Sequence, residues 1–125
     1  MKLSVNERMV LVNVLPSLDS GSLAMYRITE QMYRDLSFTS EEIEDWGIKF
    51  SGEEYVEPDG TKKTVEKGRF VWDQSKAESK DIELSDQGQK IIKKIFEKLD
   101  IAEKLQPAHI KIYDRFMEAE NGDTD

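Results

Sequence analysis

Glu41, Glu42, Glu44 and Asp45 put four carboxylates within five residues. Carboxylates that converge can exchange protons as acid and base, or hold a divalent cation between them. On a helix, however, successive side chains turn about 100° around the axis, so these four diverge. The spacing therefore predicts a solvated acidic face in place of a catalytic pair. His109 is the single histidine, and Pro107-Ala108 before it places it in the first turn of a helix, where a border or surface position is expected. No second histidine completes an HExxH or a metal triad, and neither phosphate-binding glycine spacing nor a GxSxG elbow occurs. Asp59-Gly60 lacks the alternating oxygen ligands of a calcium loop and reads as a turn. The expectation is a protein without enzymatic activity, metal or cofactor.

Charge distribution points to binding instead. The chain carries a net charge of -8. Residues 39–60 hold eight acids against Lys49 alone, a net -7, beside Trp46 and Tyr55. Aromatics supply anchoring area and acids steer toward basic partners. The expected protein-binding set is thus Glu41, Glu42, Glu44, Asp45, Trp46 and Tyr55, with a macromolecule, most simply a protein, as partner. Residues 61–80 reverse the sign, six basic against three acidic. An alternative set for nucleic acid is Arg27 and Arg34 with Lys62, Lys63, Lys67 and Arg69. The overall acidity works against that alternative, because binding phosphates draws its affinity from a basic face that releases counterions.

At 125 residues, 38% hydrophobic and 35% charged, the chain has the length of one domain with a modest core. A single domain over 1–117 is expected, followed by a flexible acidic tail over 118–125. No apolar run reaches the roughly 18 residues of a membrane helix, and MKLSVNERMV lacks a signal-peptide core. The absence of cysteine removes disulfides and thiolate chemistry. A soluble, cytoplasmic protein held by packing is the expectation.

The positioning elements follow from caps and periodicity. Ser4 and Glu7 have capping-box spacing, opening an unusually apolar helix over about 5–15 that Pro16 stops. Ser22 caps a second helix to about Leu36, striped with Met25, Ile28, Met32 and Leu36, with Tyr26 and Tyr33 on a neighbouring face. In LSFTSEEIEDWGIKF, Thr39 and Glu42 form another capping box, Phe38 and Ile43 a hydrophobic staple, and Gly47 a terminator. They define a short helix over about 40–46. The period then changes to two, and Pro58-Asp59-Gly60 predicts a hairpin of roughly 48–57 against 61–72, with Gly52 and Gly68 as bulges or bends. Ile82 and Leu84 read as a brief strand or as a packed lead-in to the next helix. Ser85 caps a helix with an Ile91, Ile92, Ile95, Phe96 and Leu99 stripe, and Pro107 opens a last one that packs Ile110, Tyr113 and Phe116 or Met117 inward. The apolar stripes of these last two helices also suit a homodimer.

Three helices followed by a hairpin resemble, over residues 4–73, a winged helix-turn-helix. That resemblance implies an α+β, winged-helix-like fold with three N-terminal helices, a wing and two C-terminal helices. It also implies a transcriptional regulator in which helix three reads the major groove and the wing touches the backbone. Here helix three would be Ser40-Glu-Glu-Ile-Glu-Asp-Trp46, acidic where phosphates would lie. The opening MKLSVNERMVLVNVLP, the LSFTSEEIEDWGIKF block and the ending DIELSDQGQKIIKKIFEKLDIAEKLQPAHIKIYDRFM resemble small accessory proteins of tailed bacteriophages and prophages. The resemblance implies a role in a bacterial host's cytoplasm, where an acidic surface can occupy and inhibit a host or defence protein.

Overall fold

The computed structural model describes residues 1–122, with side chains described through Met117. The expected tail over 118–125 lies outside the described side chains. The architecture is α+β. Its elements are β1 (Lys2–Leu3), α1 (Val5–Val14), α2 (Leu23–Leu36), α3 (Ser40–Asp45), β2 (Lys49–Phe50), β3 (Glu54–Val56), β4 (Lys62–Thr64), β5 (Phe70–Val71), β6 (Lys80–Asp81), α4 (Asp86–Ile101) and α5 (Pro107–Gly122). The chain divides into two compact units. One joins Met1–Ser37 to the chain from Ser79 on; the other is Phe38–Glu78.

The first unit is helical and holds the main core. Both partners of its N-terminal capping box are in place: the Glu7 amide donates to Ser4 Oγ at 3.2 Å, and the Ser4 amide donates to Glu7 Oε1 at 3.0 Å. Helix α1 is buried on nearly every side, so it runs through the core instead of along its surface. Leu11, Leu36, Ile92, Ile95, Phe96 and Phe116 are almost wholly shielded from water. Each such side chain contributes roughly 1.5–3 kcal/mol of transfer free energy. The rings of Phe96 and Tyr113 meet edge to face, with centroids 5.8 Å apart and planes 72° from parallel.

Two expectations for this unit are corrected. The strand expected at Ile82–Leu84 is centred earlier, as β6, which pairs antiparallel with β1 through Lys2↔Asp81 and Leu3↔Lys80, and the packed lead-in is what Leu84 forms. Ile82 extends that pairing by one step, its amide donating to the Met1 carbonyl at 2.9 Å and its carbonyl accepting from the Met1 amino group at 3.0 Å, and both Ile82 and Leu84 are buried as core residues. In α5 the inward residues are Ile112 and Phe116 with half-buried His109 and Tyr113, while Ile110 is 48% exposed. The i, i+3, i+4, i+7 stripe starts at His109, one residue before the apolar isoleucine that drew attention.

The second unit is α3 with the hairpin. Its ladder is in two short pieces, β2 with β5 (Lys49↔Val71, Phe50↔Phe70) and β3 with β4 (Glu54↔Thr64, Tyr55↔Lys63, Val56↔Lys62), instead of one continuous pairing. Gly52 and Gly68 adopt φ of 86° and 79° at the break, and Ser51 Oγ bridges it, accepting from the Gly68 amide at 2.9 Å and donating to the Arg69 carbonyl at 3.1 Å. At the tip the Gly60 amide donates to the Glu57 carbonyl at 2.8 Å. Pro58 enters that turn, and Gly60 leaves it at φ 89°.

Candidate protein-interaction surface

Helix α3 has six residues, too few to persist on propensity alone. Local devices hold it at both ends. The Thr39 hydroxyl accepts from the Glu42 amide at 3.1 Å, and Glu42 Oε1 accepts from the Thr39 amide at 2.9 Å. At the far end the Ile48 amide reaches the Ile43 carbonyl (3.0 Å), and the Gly47 amide reaches that of Glu44 (3.3 Å). With Gly47 at φ 60° this is a Schellman motif. Ile48 is fully buried and Ile43 half-buried, which fits the apolar contact that accompanies the motif.

The helix therefore presents its acids in a fixed arrangement. Glu41, Glu44 and Asp45 are exposed and make no salt bridge among the described residues. Glu42 differs from them, because its carboxylate is committed to the cap. Trp46, the C-cap residue, is half-buried, and its carbonyl accepts from the Asp73 amide at 2.8 Å. That bond extends the β2–β5 pairing to the helix end.

Beside the helix terminus lies an open groove of about 670 Å³, bordered by Gly47, Tyr55, Val56, Pro58, Val71 and Trp72. Its wall is braced by Phe70, whose ring stacks on Trp72 with centroids 4.9 Å apart and planes 17° from parallel. Thus Tyr55 opens on the same groove as Gly47, the residue after the C-cap of α3. Trp46 is not among the lining residues. Two further acids border it, each already engaged. Glu57 pairs with Lys63 at 2.8 Å, holding that ammonium above the usual lysine range. Asp73 accepts from the Ser75 hydroxyl and amide, which keep its carboxyl below the usual range.

In the sequence, Phe70, Val71 and Trp72 read only as residues of the hairpin's second strand. The signal for the stack was present, since residues two apart on a strand share a face. Of the six basic residues in the alternative set, three are paired: Arg34 with Glu30 (3.2 Å), Lys63 with Glu57 and Arg69 with Glu66 (3.4 Å). Arg27, Lys62 and Lys67 are exposed and lack a salt bridge among the described residues. Arg27 and Arg34 belong to the first unit and the other four to the second.

No group of three or more acids or histidines placed to hold a metal occurs among the described residues. His109 turns toward its own helix start, where Nδ1 accepts from the Gln106 amide at 3.1 Å. Desolvation holds its pKa below the ordinary histidine value. No described helix is long and apolar enough to cross a membrane. No protein-family model, no curated protein and no solved structure matches the chain.

Proposed function

We propose that the chain is a non-enzymatic accessory protein of phage type. In this reading it binds a basic surface on a host protein through α3 and the neighbouring aromatic groove, and so blocks that surface. The observation that carries the reading is the row of exposed, unpaired carboxylates at Glu41, Glu44 and Asp45 beside a groove lined by Tyr55 and Trp72. Acids without internal partners keep their full charge for an incoming cationic surface, and the rings add the desolvated contact area on which affinity rests. The site of action under this reading is the bacterial cytoplasm.

The test is affinity capture from a bacterial lysate with Glu41→Lys, Glu44→Lys and Asp45→Lys combined, and separately with Trp72→Ala. Glu42 is left alone, because changing it would unfasten the helix. A partner captured by the parent chain should be lost in both variants. Capture unaffected by the charge reversal overturns the reading.

The competing reading is a winged-helix regulator. The order α1, α2, α3, hairpin favours it, as do the free lysines Lys62 and Lys67 on the wing. It calls for salt-sensitive duplex binding that weakens when those lysines become alanine. The four acids of α3, Glu41, Glu42, Glu44 and Asp45, would then have to lie against phosphate, which is why the protein partner is preferred.

A further inference from the structure

The first unit has an open surface of opposite character. Helices α2 and α4 pack together, and a groove of about 430 Å³ follows their seam. Ala24, Met25 and Ile28 of α2 border it, facing Ile91 of α4, and Lys90 and Lys94 stand along its edge. Ile91 is buried and Met25 and Ile28 half-buried, whereas Ala24 and both lysines are exposed. The apolar side chains form a floor and the ammonium groups a rim.

Charge selects the occupant. No carboxylate lines this groove, and neither Lys90 nor Lys94 makes a salt bridge among the described residues. In a chain of net charge -8, this leaves a local positive field over an apolar strip. Lys90 and Lys94 lie one turn apart on α4, about 6 Å along the axis, which matches carboxylates four apart on a facing helix. The seam between two packed helices is also where the ridge of a third fits, and an unbranched methionine in the floor adapts to its side chains. A nucleic acid would find cations here but no ring on which to stack a base.

We propose that the α2–α4 groove receives an acidic amphipathic helix from a partner protein. Its apolar residues rest on Met25, Ile28 and Ile91, and its carboxylates meet Lys90 and Lys94. This ligand is opposite in charge to the basic partner assigned to α3, so the two surfaces recognise different faces or different proteins.

The probe is a fluorescein-labelled helical peptide about 18 residues long, roughly five turns. It carries leucine at i, i+3, i+4 and i+7 spacing and glutamate on the flanks. A scrambled peptide of the same composition and a version with lysine for glutamate serve as comparators, all titrated against the full chain by anisotropy. Saturable binding of the acidic amphipathic peptide alone is expected. It should weaken by roughly tenfold or more in the Lys90→Glu, Lys94→Glu double variant, and likewise in Ala24→Glu, which fills the groove from an exposed position. No saturation, equal binding of either comparator, or affinity unchanged in both variants overturns the proposal. Self-association that depends on Lys90 and Lys94, seen by sedimentation, would assign the groove to a second copy and overturn it too. Binding to anionic phosphatidylglycerol vesicles in place of the peptide would do the same.

Discussion

Arg8 Nε donates to the carbonyl of Leu36 across 3.2 Å, from a side chain with no exposure to water. A second nitrogen of the same guanidinium donates to the Ser37 carbonyl at 2.9 Å. Leu36 is the last residue of α2 and Ser37 its C-cap. A helix end leaves carbonyls without intrahelical donors and carries partial negative charge, so a buried cation is well placed there. Arg8 thus caps one helix from inside another, where the N-terminal segment of the first compact unit ends.

Removing that side chain should be costly. Arg8→Ala leaves two carbonyls without their donor and opens a cavity, a loss of about 2 kcal/mol or more. For a chain of this length the melting temperature should fall by roughly 6 °C or more. Arg8→Lys keeps the charge but not the planar fork, and should lie between the two. Urea unfolding measures the difference, and an alanine variant within about 0.5 kcal/mol of the parent would refute the capping role.

Glu7 and Arg115 form a second long-range link, with Arg115 Nη1 donating to Glu7 Oε2 at 2.6 Å. Burial raises the Glu7 carboxyl, but the Ser4 amide and the Arg115 guanidinium outweigh it and hold the group below its ordinary value of 4.5. A depressed folded-state pKa stabilises the fold above the unfolded value. That contribution is lost as pH falls from about 4.5 through the folded pKa. Glu7→Gln should therefore lower stability at pH 7 by about 1–3 kcal/mol and flatten the acid limb of a stability–pH curve. Parallel curves for the two proteins below pH 5 would contradict this.

What could be read from residues alone follows the range of each interaction. Ser4, Thr39, Gly47 and Pro58-Asp59-Gly60 act within one turn of chain, and their caps and turns form where spacing put them. Arg8 meets Leu36 and Ser37 from 28 and 29 positions away, and Arg115 meets Glu7 from 108. Neither leaves a periodic trace that the sequence pattern could show. Strands of two residues, as in β1 and β6, are too short to show alternation. At the binding surface the acids of α3 were legible as a cluster. The groove beside them needed both ladders, since Trp72 follows β5 and Tyr55 lies in β3.

His109 gives the protein a second pH dependence. Its Nδ1 is a hydrogen-bond acceptor at the start of α5, which requires the neutral ring, and desolvation depresses its pKa below 6.5. The unfolded chain then binds a proton more readily than the folded one, so stability is retained above about pH 6.5 and declines as pH falls through the folded pKa. A protonated ring would also oppose the positive end of the helix dipole. Thermal melts between pH 7.5 and 5.5 should show a decline that is smaller in His109→Gln. The same decline in both proteins would remove His109 as its source.

The acidic helix should open more readily than the core of the first unit. None of its residues is fully buried, and Ile48 and Val65 are the fully buried apolar side chains described in Phe38–Glu78. Hydrogen exchange should accordingly give amides of Ser40–Ile48 much less protection than those of Leu11 or Ile92. Because caps and not core contacts hold α3, Thr39→Ala and Gly47→Ala should each cost about 1 kcal/mol. The glycine change acts through its positive φ alone, since nothing lies within 4 Å of an added Cβ. That cost appears as roughly fivefold faster exchange within α3, with protection at Leu11 and Ile92 unchanged. Uniform loss of protection across both units would mean that α3 opens only with the whole fold. Exchange confined to α3 would instead give two variants with a loosened acidic surface on an intact first unit, and weakened partner capture by them would tie binding to the order of Glu41, Glu44 and Asp45 as well as to their charge.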